Sequence, residues 1–177
     1  MREWCVSSPV SQPRLDVIRL RFFGERHPRG EKNVEGIHFF EADATRNVAE
    51  FYLQQCNGPL DAILSTEVIE HVFDPRSFAK LCFELLKPNG LLVLSTPYHG
   101  YAKNLSLALV GAMDRHYTAL WDCGHIKFWS RKTLGILLEE AGFRELHFRG
   151  AGRIAYLWKS MVMTAKKPSL RDSSHAH

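Results

Sequence analysis

From residue 37 onward the chain alternates between short apolar runs and segments in which apolar positions recur every three or four residues. That alternation predicts an α/β domain with a largely parallel sheet. Residues 37–40 read as a strand ending at Glu41-Ala-Asp-Ala44. A helical segment follows over about 46–55, and Asn57-Gly58-Pro59 turns the chain into a second strand at 62–65. Pro75 suits the first turn of a helix, with Phe78, Leu81, Cys82, Leu85 and Leu86 on one face and Pro88-Asn-Gly90 as its stop. Residues 91–95 form a continuous apolar run expected of a buried central strand, and Thr96-Pro97-Tyr98-His99 must then turn over the sheet edge. The stretch 100–125 shows no clear period. Ser130 is an N-cap candidate for a helix carrying Leu134, Leu137 and Leu138, and Gly142 is a C-terminal stop. Two late strands, 144–149 and 157–165, are expected to pair as a hairpin.

The first 36 residues break this rhythm, because prolines and glycines interrupt them and only 15–23 has a strand pattern. The expected organisation is an irregular segment 1–36, a domain 37–166 and a basic, polar tail 167–177. At 177 residues, 45% hydrophobic and 24% charged, the composition is that of one soluble globular domain. Cys5, Cys56, Cys82 and Cys123 form no C-x-x-C pair, which excludes a zinc ribbon or redox dithiol by pattern and predicts a reducing, cytoplasmic setting. The longest apolar run, 105–113, is about half the ~20 residues a membrane helix needs, and no signal-peptide core precedes it, so neither a membrane span nor export is expected. The net charge of +4 concentrates late in the chain: residues 141–177 carry +5 and residues 37–140 carry −3. A solvated basic tail accounts for that excess without an RNA-binding motif.

One stretch carries more chemistry than a strand end requires. Leu-Asp-Ala-Ile-Leu-Ser-Thr-Glu-Val-Ile-Glu-His-Val-Phe-Asp-Pro, residues 60–75, places Glu67, Glu70 and His71 together at a strand's carboxyl end, where open α/β sheets bind ligands. On a helical turn these positions share a face, and the two carboxylates repel unless a proton or cation sits between them. Three readings stay open: capping of the following helix, acid and base catalysis with His71 as proton acceptor, or ligation of a divalent cation.

Four segments taken in order resemble a class I S-adenosylmethionine-dependent methyltransferase: Glu-Ala-Asp-Ala (41–44), residues 60–75, Leu-Leu-Lys-Pro-Asn-Gly-Leu-Leu-Val-Leu-Ser-Thr-Pro (85–97) and Trp-Ser-Arg-Lys-Thr-Leu (129–134). The branch they resemble contains the ubiquinone-biosynthesis O-methyltransferases. The resemblance implies a Rossmann-like sheet, mostly parallel with a late antiparallel strand, and S-adenosylmethionine as cofactor. It implies that Asp43 and the Ala44 backbone read the adenine, with Ser65 and Thr66 beneath the methionine part. Glu67-Val-Ile-Glu70-His71, with Gly124-His125-Ile-Lys-Phe-Trp129 downstream, is also similar to the metal site of 2′-O-methyltransferases that modify RNA 3′ ends. That likeness implies Glu67, Glu70, His71 and His125 as ligands of Mg²⁺, Mn²⁺, Fe²⁺ or Zn²⁺.

The chain departs from the family at its start. Where a D-x-G-x-G-x-G turn should follow the first strand, Asp16-Val17 is followed by Ile18-Arg19-Leu20-Arg21, so the first βαβ unit is incomplete and close backbone approach to the cofactor is lost. The function expected is O-methylation of a small hydroxylated substrate, with His71 as catalytic base and a divalent metal assisting. The alternatives are a catalytically inactive or truncated methyltransferase-like binding module and an RNA 3′-end 2′-O-methyltransferase. His99 and His116 are secondary candidates for substrate contact. The incomplete unit predicts that 15–23 substitutes partly as a sheet strand or that the protein self-associates through an open edge.

Overall fold

The computed structural model describes residues 4–8, 14–21, 37–43, 58–117, 120 and 124–169. Seven strands form one sheet: β1 (Trp4–Ser8), β2 (Arg14–Arg21), β3 (Ile37–Asp43), β4 (Leu60–Thr66), β5 (Leu86–Pro97), β6 (Arg144–Ala151) and β7 (Ser160–Lys166), in the order β3-β2-β1-β4-β5-β7-β6. The β2–β3 and β4–β5 pairs are parallel. β1 runs antiparallel to both β2 and β4, and β7 runs antiparallel to both β5 and β6. Following these directions across the sheet, β2, β3, β4, β5 and β6 all point the same way. Asp43, Thr66 and Pro97 therefore end their strands on one edge.

The late hairpin matches the sequence reading, as does a strand within 15–23. The difference lies at the amino end, where Trp4–Ser8 is a further strand and, in place of β2, lies directly beside β4. The sheet thus has an early antiparallel strand as well as the late one expected. The helical segment expected over about 46–55 falls outside the described residues.

One face of the sheet is packed by two helices, α1 (Pro75–Leu85) and α4 (Arg131–Glu140). α1 starts where Asp74 accepts the Ser77 backbone N–H at 3.1 Å and Pro75 supplies a residue that needs no N–H partner. α4 starts with a reciprocal box, in which the Ser130 hydroxyl accepts the Thr133 N–H at 3.2 Å and the Thr133 hydroxyl accepts the Ser130 N–H at 3.0 Å. It ends at Gly142, whose φ of +103° only glycine adopts without strain. Phe78, Leu81, Cys82 and Leu85 from α1 and Leu134, Leu137 and Leu138 from α4 are buried against Ile63, Leu92, Leu94, Met161, Met163 and Ala165. Those strand positions alternate, as a sheet with one covered face requires. On the other face, Leu64 and Leu91 are 37% and 41% exposed. Cys82, fully buried among these side chains, has its thiol pKa pushed well up by desolvation and is inert packing.

Residues 100–117, without a readable period, contain two short helices, α2 (Tyr101–Leu109) and α3 (Met113–Tyr117). α2 begins at Gly100, over which the Tyr98 ring lies so closely that any Cβ would collide with it. No helix among the described residues is long and apolar enough to cross a membrane.

Candidate functional site

At the carboxyl end of β4 the chain makes a sharp departure from the sheet. Glu67 has a positive φ of 52°, uncommon for a residue with a Cβ, and is held there by its N–H donating to the Ser95 carbonyl at 2.9 Å. A single 3₁₀ turn, Ile69–His71, follows and brings Glu70 inward to 1% exposure. Glu70 Oε2 accepts the Thr96 hydroxyl at 3.1 Å, which ties the turn to the end of β5. The Glu70 carbonyl accepts the N–H groups of Ile126 and Lys127, and the Ile69 carbonyl accepts Trp129 Nε1–H. These bonds bring residues 124–129 alongside 69–71, across more than fifty positions of sequence.

The result gathers three polar side chains. Glu70, His71 and His125 each offer a donor atom, and the three atoms lie within 4.8 Å of one another. Glu70 Oε1 is 3.7 Å from His71 Nε2 and 3.9 Å from His125 Nε2. The imidazole centroids are 4.9 Å apart. His71 Nδ1 lies 3.1 Å from the Gly124 carbonyl, which can only accept, so Nδ1 carries the hydrogen. His71 Nε2 then faces a carboxylate oxygen at 3.7 Å, an arrangement suited to a proton or a cation between them. Of the four residues expected as metal ligands, the structure brings three together. Glu67 is outside this group, and its Oε1 accepts the Ser95 hydroxyl at 3.1 Å.

The residues expected to hold the cofactor are dispersed along the same sheet edge. Asp43 is the last residue of β3, and Ala44 lies outside the described residues. Ser65 is fully buried, its hydroxyl has no hydrogen-bond partner among the described residues, and Thr66 ends β4 beside it. A buried, unsatisfied hydroxyl at a strand's carboxyl end fits a bound polar group. The expected glycine turn does not fit, because residues 18–21 continue β2 in register with β3.

A family model for a methyltransferase domain matches residues 8–147. The chain belongs to the class I S-adenosylmethionine-dependent methyltransferases. Curated relatives include the ubiquinone biosynthesis O-methyltransferase of Caulobacter vibrioides, 33% identical over 123 residues that cover 66% of this chain and 46% of the relative. The enzyme of the same name from Cereibacter sphaeroides is 42% identical over 110 residues, 60% of this chain and 42% of the relative. The chain thus spans less than half the length of these relatives. Among solved structures, an O-methyltransferase family protein from Burkholderia thailandensis superposes with a TM-score of 0.54 at 18% identity, over 76% of this chain and 36% of the other. The Haloferax volcanii complex between the Trm112 methyltransferase activator and a methyltransferase gives 0.56 at 12% identity, over 82% of this chain and 65% of that one. At such identities the likeness is one of fold.

Within this methyltransferase domain, the strand-end residue Thr96 and the loop tryptophan Trp129 steady the Glu70 turn, a role that the segments containing them did not announce. Lys103 was also missed. It is 4% exposed, and its ammonium donates to the Tyr98 carbonyl at 2.7 Å and the Lys159 carbonyl at 3.5 Å. The available signal was its place as the lone charge in Tyr101–Leu109, a helix otherwise without ionisable groups apart from a tyrosine.

Proposed function

We propose that the chain is an S-adenosylmethionine-dependent O-methyltransferase acting on a small hydroxylated molecule. In this reading Glu70, His71 and His125 position and deprotonate the hydroxyl. The observation that carries it is the His71 ring: its Nδ1 hydrogen is committed to the Gly124 carbonyl, and its Nε2 is aimed at Glu70 Oε1 and His125. Support at the level of the reaction comes from the ubiquinone biosynthesis O-methyltransferases among its relatives. S-adenosylmethionine, when bound, supplies an electrophilic methyl group with a neutral leaving group, so the protein's own task is to orient the nucleophile and remove its proton. Asp43 and Ala44 would read the adenine, and the buried Ser65 hydroxyl with Thr66 would floor the methionine part.

His71 Nε2 has one lone pair, so it either takes the acceptor proton directly or ligates a cation. A divalent ion held by Glu70, His71 and His125, with Glu67 as a fourth donor from the adjoining turn, would lower the hydroxyl pKa as a Lewis acid. Glu70 serves both cases, because its carboxylate compensates whichever positive centre forms. Thr96 keeps that carboxylate in place.

Calorimetric titration of Mn²⁺ and Mg²⁺ into wild type and Glu70→Gln separates these roles. Binding in wild type that weakens in the variant supports the metal. Absent binding together with a methyl-transfer rate that falls as His71 is protonated leaves His71 as base. A second reading, a methyltransferase-like binding module without turnover, is favoured by residues 18–21 continuing as strand where a glycine turn is expected. S-adenosylmethionine at about 100 times its dissociation constant should stabilise the chain by roughly 2.7 kcal/mol. Asp43→Ala should abolish the shift. A chain that shows no shift at millimolar cofactor is the binding module.

A further inference from the structure

Helix α2 is built inside out. Tyr101, Leu105 and Leu109, spaced four residues apart, are 84%, 45% and 78% exposed, whereas Lys103 is the one fully buried residue of the helix. A surface helix ordinarily turns its apolar stripe inward and its charges outward. The ammonium is therefore the deepest anchor by which α2 is held to the sheet edge. Burying a lysine is costly unless its charge meets hydrogen-bond acceptors, so the identity of those acceptors matters.

The shorter of its two bonds, 2.7 Å, goes to the Tyr98 carbonyl, and the Lys159 carbonyl lies at 3.5 Å. The same Lys159 carbonyl accepts the Tyr98 N–H at 3.2 Å. The Tyr98 carbonyl and the His99 N–H belong to a single planar peptide group and point to opposite sides of it. That N–H donates to the Trp129 carbonyl at 3.0 Å. A charged donor on the carbonyl polarises the peptide and strengthens the bond its N–H makes. Lys103 thus sets both the plane and the strength of the link that holds residue 129.

From residue 129 the connection runs on to the cluster. Trp129 Nε1–H donates to the Ile69 carbonyl at 3.4 Å, and the N–H groups of Ile126 and Lys127 donate to the Glu70 carbonyl at 2.9 and 3.0 Å. Segment 124–129 carries His125 and supplies the Gly124 carbonyl that accepts from His71 Nδ1. It is clamped between the Ile69–His71 turn on one side and the Tyr98–His99 peptide on the other. Loosening the second clamp would let His125 and Gly124 drift from Glu70 and His71 while α1 and α4 stay packed.

We infer that Lys103 is a positioning residue for the Glu70, His71 and His125 cluster, acting through the Tyr98–His99 peptide on segment 124–129. The inference rests on the proposed role of that cluster for its place in the reaction, but the coupling itself is readable without turnover. The test compares the full chain with Lys103→Met, which keeps most of the side chain's length and deletes the ammonium, once circular dichroism has established that the variant folds. In hydrogen exchange followed by NMR, the amides of His99, Ile126 and Lys127 should exchange about fivefold or more faster in the variant, the scale of one lost hydrogen bond. The Leu138 amide in α4 should change by about twofold or less. The imidazole nitrogen signals of His71 should lose the pattern of a single Nδ1–H tautomer. A lysine that merely stabilised the fold would speed all these amides alike and leave that tautomer as it was. Exchange at Ile126 and Lys127 that is unchanged, or that rises in step with Leu138, overturns the inference, as does an unaltered His71 tautomer. Should Lys103→Met not fold, Lys103→Arg, which keeps the charge on a longer planar head, is read instead. Its His99, Ile126 and Lys127 amide resonances should shift together, and their staying in place overturns the inference equally. Selective loosening in a protein whose wild type neither binds Mn²⁺ nor transfers methyl retains the positioning and removes the cluster's proposed role in activating the hydroxyl.

Discussion

The molecule holds two histidine pairs of nearly the same spacing, with centroids 4.9 Å and 5.3 Å apart, in opposite electrostatic settings. His71 and His125 face a shared carboxylate, Glu70, buried to 1% exposure. His99 and His116 face a buried ammonium, Lys103, and form no ion pair among the described residues. The same side chain is therefore put to two uses by the charge behind it. A negative backing favours a protonated imidazole or a cation shared with it, and a positive backing keeps the imidazole neutral.

The largest effect that would break the contrast is at its anionic centre. Glu70→Gln keeps volume and removes the charge, and Mn²⁺ affinity should drop at least about tenfold, toward 100-fold. An unchanged affinity would mean that the two pairs are not differently backed in any way that matters to a cation.

The second test reads the cationic pair through pH. His99 binds fewer protons folded than unfolded between pH 4 and 6.5, so its contribution is complete above 6.5 and is lost as pH falls toward 4. Lys103 repeats this between 8 and 10.5, where stability should climb again. Denaturation followed from pH 7 to 4 should lose about 1–3 kcal/mol that His99→Phe does not lose. A parallel pH profile in wild type and variant would show that His99 is not held neutral.

A finer measurement sharpens the comparison. In Lys103→Met the His99 and His116 resonances should titrate at higher pH than in wild type, because the charge that depresses them is gone. Their staying in place would show that Lys103 does not contribute to the depression. The smallest effect is a control: Ser130→Ala removes the α4 box at a cost of about 1 kcal/mol in stability and should leave the Mn²⁺ titration as it was.

What was legible beforehand divides along similar lines. The passage from β4 through Glu67, Glu70 and His71 into α1 could be read because each step is local: alternation, a strand end, Asp74 before Pro75 and a helical apolar face. His125 entered through a family likeness, since nothing in the composition of 120–130 announces that backbone bonds to Glu70 carry it across fifty residues. The second pair was legible only as two separate candidate histidines. His99 follows a strand and His116 sits in a five-residue helix too short to show a period, so nothing announced that the fold sets them together or that it buries Lys103, the lone charge of its helix. Trp4–Ser8 escaped because five residues with two serines satisfy no strand template strongly, and its place beside β4 is decided by pairing partners far along the chain.

The position of β7 has a consequence for how the molecule is made. This strand, residues 160–166, lies between β5 and β6, so the seven partners it offers to β5 do not exist until some sixty residues after β5 has left the ribosome. Until then β5 carries an open edge, and β6 has no neighbour to join. Synthesis therefore passes through a nascent state in which one edge of β5 is unprotected. A pause or truncation before residue 160 would expose that strand to other growing chains, and chaperone demand on the polysome should be set by this last insertion, however firm the finished core.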